Sequence, residues 1–225
     1  MKQYTLEIAC FSAESAFVAA ANGAGRIELC EDYSCGGISP SAETAMQVIK
    51  QVKVPVFIMI RPRAGNFIYR ASELEYMKQQ MILFGEMGCA GFVFGALTSE
   101  NTVDLDACKY LVSSTGSLPC TFHRAFDITP DPGKALENVI ACGFSRILTS
   151  GGQDTAMAGA AQIRELITRA NNRIVIMPGG GVRASNISDL RNVTGAVEYH
   201  SAALDKQRDK IDPEEIIALK RNLVL

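Results

Sequence analysis

Eight short apolar runs, each followed by a longer stretch with helical spacing, divide the chain from end to end, and this alternation constrains the fold more than any other feature. The expected strands are residues 5–9, 26–30, 54–60, 91–95, 120–123, 146–149, 173–177 and 196–199. The expected helices are 13–22, 42–51, 72–87, 105–113, 132–141, 156–170, 184–190 and 213–222. Ser72, three residues before Glu75, reads as a capping box, and Pro213 suits a first helical turn. Gly23, Gly88, Gly116 and Gly143 stand just past helix ends, where a left-handed residue is wanted. Strict alternation calls for parallel pairing through crossover helices. An open doubly wound sheet uses the same units, but eight of them without a long insertion favour closure into a (βα)8 barrel, a TIM barrel. The 225 residues suit one such domain, 1–225, with no linker or low-complexity segment.

Closure fixes which side chains meet at the axis, because alternate strand residues point inward and the rest pack beneath the helices. Leu6 and Ile8, Ile27 and Leu29, and Val56, Ile58 and Ile60 make an apolar outward set. Glu7 and Ala9, Glu28 and Cys30, and Phe57, Met59 and Arg61 then face inward. The same parity places Thr121 and His123 inside on strand five, and Glu198 and His200 inside on strand eight. Buried charges are costly unless paired. A network of Glu28, Arg61 and a neighbouring glutamate that only fixes barrel register is one account. A functional pocket at the C-terminal ends of the strands is the other, and the one preferred here.

The loops at that end carry polar and glycine-rich signals. After strand three come Arg61 and Arg63, whose guanidinium forks suit carboxylate or phosphate. After strand five come His123, Arg124 and Asp127; after strand six, Ser150, Gly151 and Gly152; after strand seven, Gly179, Gly180 and Gly181. Glycine-rich turns leading into helices expose backbone N–H groups to an anion, although tight βα turns need glycine anyway. The expected chemistry is therefore action on a small anionic molecule. Glu28 or Glu7 would serve as general base, with His123 as acid partner or orienter. Arg61 and Arg63 would clamp the anion, with His200 beside it. A hard-metal site built from Glu28, Glu198 and His200 is a lesser alternative, since no metal-ligand spacing supports it.

Composition narrows the remaining classes. A formal net charge of −2 without a basic run argues against nucleic acid as partner, and no apolar stretch approaches a membrane span. The seven cysteines contain no C-x-x-C pair, and without a signal-peptide core the default expectation is a cytoplasmic chain with reduced thiols. Barrels of this size often form symmetric assemblies, so a homodimer or higher homo-oligomer is expected. The charged stretch 205–210 reads as a solvated loop before the last helix.

The segments RIELC (26–30), GGISPS (36–41), MIRPRAGNFIY (59–69), FHRAFD (122–127), ILTSGG (147–152) and MPGGGV (177–182) closely resemble the CutC family of copper homeostasis proteins, in order and over essentially the whole chain. The resemblance implies a cytoplasmic (βα)8 barrel connected with copper tolerance, and implies Cys10 and Cys30 as Cu(I) ligands, with no other cofactor. Soft thiolates suit Cu(I). Parity sets a condition: Cys30 is in phase with Glu28, but Cys10 is out of phase with Glu7, so a shared ion needs the chain to turn just after Ala9. Asn66 and Gly25 depart from the family pattern, each standing where an aspartate is usual.

Overall fold

Short β-branched and aromatic runs are too brief for helices, and each of the eight forms a strand of three to six residues beneath the helix that follows it. The computed structural model describes residues 4–205, 207 and 210–224, the side chain of Val224 excepted. Lys206, Arg208 and Asp209 of the charged stretch before the last helix lie outside that set. The strands are β1 (Thr5–Cys10), β2 (Arg26–Leu29), β3 (Val56–Met59), β4 (Gly91–Phe94), β5 (Cys120–Phe122), β6 (Arg146–Thr149), β7 (Val175–Pro178) and β8 (Glu198–Ser201). The helices are α1 (Ala13–Asn22), α2 (Ala42–Gln51), α3 (Ala71–Glu86), α4 (Leu105–Ser113), α5 (Pro132–Ala141), α6 (Ala160–Ala170), α7 (Ile187–Thr194) and α8 (Pro213–Val224). Two 3-10 turns, Tyr33–Cys35 and Arg124–Ile128, follow β2 and β5.

All ladders are parallel, in the order β7-β6-β5-β4-β3-β2-β1-β8, and β7 and β8 at the two ends lie side by side, nearly closing a (βα)8 barrel. Helix starts are capped as the sequence directs. Ser41, Asp104 and Asp131 accept N–H bonds from Thr44, Ala107 and Lys134, which satisfies donors the first turn leaves open. Gly23, Gly88, Gly116 and Gly143 adopt the expected left-handed backbone. One cap differs: α3 starts at Ala71, and Glu73 rather than Glu75 reaches back, accepting from the Arg70 N–H at 2.8 Å. Helix α6 starts at Ala160 rather than at 156, because the Ala156 N–H is drawn to Gly180 O at 2.8 Å and holds that stretch against the β7 loop.

Two hydrophobic layers confirm the parity. Leu6, Ile8, Ile27, Leu29, Ile58, Phe122 and Tyr199 join the helices in one buried cluster, whereas Cys30, Phe57, Met59 and Val93 form a second, inside the barrel. Strands β7 and β8 each begin two residues later than expected, which leaves the facing of their residues unchanged. No helix among the described residues is long and apolar enough to cross a membrane.

Candidate functional site

The barrel interior is polar in tiers, and the lowest tier is closed on itself. Arg26 and Arg146, each opening its strand, point inward beneath the cavity. Arg26 pairs with Glu7 through Nε and with Glu198 through Nη2. Arg146 donates from Nε to Glu198 at 2.6 Å and from Nη1 to Thr121 Oγ1 at 3.2 Å. Both guanidinium groups lie over the Phe57 ring, at 4.9 and 5.3 Å. Two cations and two carboxylates thus satisfy one another in the barrel interior, which is the condition for burying them. A self-satisfied network is thus present, built from Arg26, Arg146, Glu7 and Glu198, whereas the alternative account drawn from the sequence named Glu28, Arg61 and a neighbouring glutamate.

Above this floor the pairing thins out. Glu7 Oε1 holds His200 Nδ1 at 2.7 Å, and His200 Nε2 lies 3.7 Å from Glu28 Oε2. Burial works against ionising Glu7, but Arg26 and the His200 hydrogen bond more than offset it, and its carboxyl falls to about 2. Glu7 is therefore a fixed anion, which removes it as a general base. Burial dominates at Glu28, opposed by His200 and reinforced by Glu7, and lifts its carboxyl to about 7. Burial lowers His200, but the charges of Glu28 and Glu7 and the Glu7 hydrogen bond raise it above its ordinary value on balance. Glu28 Oε1 is buried without a hydrogen-bond partner.

Glu28 and His200 form the base of a cavity of about 490 Å³ at the C-terminal mouth, walled also by Arg61, Phe67, His123, Arg124 and the turn Gly180–Gly181. That volume suits a small metabolite. His123 accepts the Ala125 N–H on Nδ1 at 3.3 Å, so its proton sits on Nε2, which has no partner. Burial and then the Arg61 charge press its pKa down to about 3. The imidazole is neutral, and its part narrows from acid to hydrogen-bond donor. Its ring packs on Phe67 at a centroid distance of 4.7 Å.

The arginines of the β3 loop are not the expected clamp. Arg61 spends Nη1 on the carbonyls of Cys35 and Gly37 and Nη2 on that of Gly65, all at 2.9 Å, tying the β2 and β3 loops together. Only its Nε lacks a partner. Arg63 is outside the cavity wall, bound to Glu73 at 2.6 Å and to the Ile68 carbonyl at 2.7 Å, with its guanidinium over Tyr69. Asn66, where an aspartate is usual, supplies a carbonyl oxygen that accepts from Arg63 at 3.1 Å, so this loop needs no charge there.

The two glycine turns separate in the same way. Asp127 fills the first: its carboxylate accepts from Ser150 N–H at 3.0 Å, Gly152 N–H at 3.3 Å, Thr149 Oγ1, and Arg124 Nε at 2.7 Å. Gly151 N–H goes to Thr149 Oγ1 at 2.8 Å. The protein's own carboxylate thus occupies the anion seat expected at Ser150–Gly152. In the second turn Gly179 N–H bonds Thr149 O at 2.9 Å, but the N–H groups of Gly180, Gly181 and Val182 have no partner among the described residues.

The cysteines expected to hold Cu(I) fit it poorly. Strand β1 runs straight through Cys10, without the turn after Ala9 that a shared ion requires. Cys10 packs in the outer layer and donates to the Ile8 carbonyl, whereas Cys30 packs inside with Phe57 and Met59. Burial pushes both thiols well up, so both carry their protons in the metal-free protein. A carboxylate–imidazole group, Glu7, Glu28 and His200, has ligand atoms within 4.8 Å of one another. That donor set is harder than Cu(I) prefers, and Glu7 already serves Arg26 and His200.

Arg26 and Arg146 are the residues that sequence reasoning missed. The signal was present: Arg26 is two residues before inward Glu28, and Arg146 two before Leu148, which reaches the cavity wall.

Comparison with known proteins follows the same residues. The sequence profile described as the CutC family matches residues 4–205. A curated relative, the copper homeostasis protein cutC homolog of Mus musculus, is 46% identical over 201 residues, 89% of this chain and 74% of the mouse protein. The Homo sapiens homolog is 45% identical over 89% of this chain and 73% of its own length. The crystal structure of the putative copper homeostasis protein CutC from Streptococcus agalactiae superposes with a TM-score of 0.84 at 33% identity, covering 89% of this chain and 99% of that one. A phosphoribosyl anthranilate isomerase superposes with a TM-score of 0.66 at 12% identity over 99% of both chains, a likeness of fold alone.

Proposed function

From the premise that the chain belongs to the CutC family, we propose that its barrel mouth is an acid–base site that moves a proton on a small carbonyl-bearing molecule. One observation carries this reading: an orphaned, protonatable acceptor shares a cavity with two orphaned donors. Glu28 Oε1, His123 Nε2 and Arg61 Nε make no hydrogen bond of normal geometry, although the Cys30 thiol is close to Glu28 and the Tyr69 hydroxyl to Arg61, and all three side chains are buried and line the same space. Buried polar atoms left unsatisfied cost roughly 1–3 kcal/mol each, so a constellation of three marks a place where a ligand supplies the partners.

The chemistry follows from the charges. Glu28, poised near neutrality, takes a proton from a carbon beside a carbonyl, and the carboxylic acid so formed returns that proton to a neighbouring atom. Between the two transfers, negative charge on the carbonyl oxygen is held by the N–H groups of His123 and Arg61, which are preorganised because both side chains are fixed by other contacts. Atoms and electrons balance without an oxidant or reductant. His200, locked to Glu7, keeps a positive charge beside Glu28 and stops its pKa rising further.

The test is solvent deuterium incorporation. Protein incubated in heavy water with a pool of small carbonyl metabolites is read by mass spectrometry, alongside Glu28→Gln. One component gaining deuterium with wild type and not with the variant supports the proposal; no gain in any component, or equal gain with both, overturns it. Copper comes to this chain only through the names of its relatives, and with Cys10 and Cys30 on different layers no step is routed through it.

A further inference from the structure

We infer that the molecule bound at this mouth carries a phosphate monoester, seated on the N–H groups of Gly180, Gly181 and Val182 and on the Arg124 guanidinium. The inference rests on the proposed acid–base reading of the same cavity and names the handle by which the substrate is held.

The turn after β7 is built for an oxyanion. Gly180 and Gly181 have φ of +99° and +69°, a turn in the left-handed region that suits glycine and leaves the backbone N–H groups uncovered by side chains. Those two and the Val182 N–H have no partner among the described residues, although the turn lines the cavity. Arg124 is in contact with it: a Cβ added at Gly180 would lie 3.3 Å from both the guanidinium carbon and Nη1. Arg124 is held in place by Asp127 through Nε at 2.7 Å and by Ser150 through Nη2 at 2.9 Å, and Nη1 is left over. A fixed cation with one free edge beside three free N–H groups is a preorganised anion seat.

The neighbouring turn provides an internal control. At Ser150–Gly152 the same kind of backbone is satisfied by the Asp127 carboxylate. Of the glycine turns after β6 and β7, the first holds an anion supplied by the chain and the second does not. Arg183 also lines the cavity and is held in the same manner, by the Leu204 carbonyl through Nη1 at 2.6 Å and by Glu215 through Nε at 3.0 Å, so its Nη2 adds positive charge to the same wall.

Three N–H groups and a guanidinium edge match the three terminal oxygens and two charges of a phosphate monoester. The Asp127 carboxylate accepts as many donors in the neighbouring turn, so charge and position, rather than donor number, favour phosphate here. The position is also the one where this fold favours phosphate, at the loops after strands seven and eight. The acid–base groups are close by: a Cβ added at Gly179 would lie 3.3 Å from His200 Cβ and Cδ2. A short molecule held by its phosphate at Gly180–Gly181 thus lies beside Glu28, and His123 and Arg61, whose Nε2 and Nε are buried without partners, line the same cavity. Asp154, also on the wall, is the counter-charge the seat must work against.

The experiment is binding of inorganic phosphate and of glycerol 3-phosphate, by calorimetry, to wild-type protein and to Arg124→Gln, Asp154→Asn and Glu28→Gln, each checked for folding by circular dichroism. Saturable binding weakened at least about tenfold in Arg124→Gln, the loss expected for one charge-assisted contact, supports the inference. Tighter binding in Asp154→Asn supports it independently should the arginine variant fail to fold. No saturable binding to wild type, or binding indifferent to both Arg124 and Asp154, overturns it. Glu28→Gln binds phosphate at least as tightly as wild type while losing deuterium exchange, so failure of the phosphate seat and failure of the acid–base reading give different results.

Discussion

Replacing Glu28 by glutamine, a near-isostere of the protonated acid, stabilises the protein at neutral and alkaline pH. The folded carboxyl titrates at about 7 against an ordinary 4.5. A raised pKa means that the folded state favours the protonated form. The stability this contributes is full below about pH 4.5 and is lost as pH rises through 7. The difference of about 2.5, at about 1.4 kcal/mol per pH unit, sets an upper limit of about 3–4 kcal/mol. His200 returns part of this, because the Glu28 charge is one of the forces that raise it. The net expectation is a variant more stable than wild type by about 1–3 kcal/mol at pH 8 and equal to it near pH 4. Urea unfolding of both proteins across that range reads the difference directly. A gap that does not open between about pH 4.5 and 7, or a variant less stable at pH 8, would refute the assignment of a charge-averse site to Glu28.

Arg26→Met leaves Glu7 and Glu198 buried without one of their cations and is expected to cost about 3–5 kcal/mol, a fall of roughly 10 °C in thermal midpoint; wild-type stability would show that the floor network holds nothing. Asp127→Ala removes the acceptor for Ser150 and Gly152 N–H and is expected to cost about 2–4 kcal/mol. Millimolar phosphate should recover part of that loss by entering the vacated seat, and thermal unfolding with and without the salt checks both points. Cu(I) affinity under reducing conditions, measured by competition with a chromogenic chelator, is expected to be the same in a Cys10→Ser, Cys30→Ser double variant as in wild type. A loss of tenfold or more in that variant would mean that the two thiols do share an ion.

Much of this site was legible before any coordinates. Alternation gave Glu7, Glu28, His123, Glu198 and His200 their inward facing, and even a two-residue displacement of β7 and β8 preserved it, because facing repeats every second residue. Illegible were the partners. Arg26 and Glu198 are 172 positions apart and meet only because β1 and β8 are neighbours around the barrel. Arg61 and Arg63 look equivalent in sequence, yet one is captured by carbonyls of two loops and the other by Glu73 on α3. The Ser150–Gly152 turn reads as an empty anion seat until Asp127, more than twenty residues earlier, is seen to fill it. Sequence spacing reports which face a side chain is on; it does not report which of several nearby donors reaches a given acceptor first.

The placement of the arginines explains why two buried carboxylates on adjacent strands behave so differently, and it ties the acid–base group to the anion seat. Glu7 and Glu28 are both buried and both beside His200, but Arg26 reaches Glu7 directly, and Arg61, the cation of the mouth, is turned to carbonyl oxygens. Arg26, Arg146 and protonated His200 balance Glu7, Glu198 and ionised Glu28; with Glu28 protonated, the same cluster carries one net positive charge. A phosphate at Gly180–Gly181 favours the protonated cluster, so binding it draws a proton onto Glu28 and lifts its pKa further. By the same linkage, phosphate binds more tightly below pH 7 than above it, beyond what the ionisation of phosphate itself requires. Calorimetry in buffers of different ionisation enthalpy reads that proton uptake. Its disappearance in Glu28→Gln would locate the proton on this carboxyl, whereas uptake unchanged in the variant would place it elsewhere.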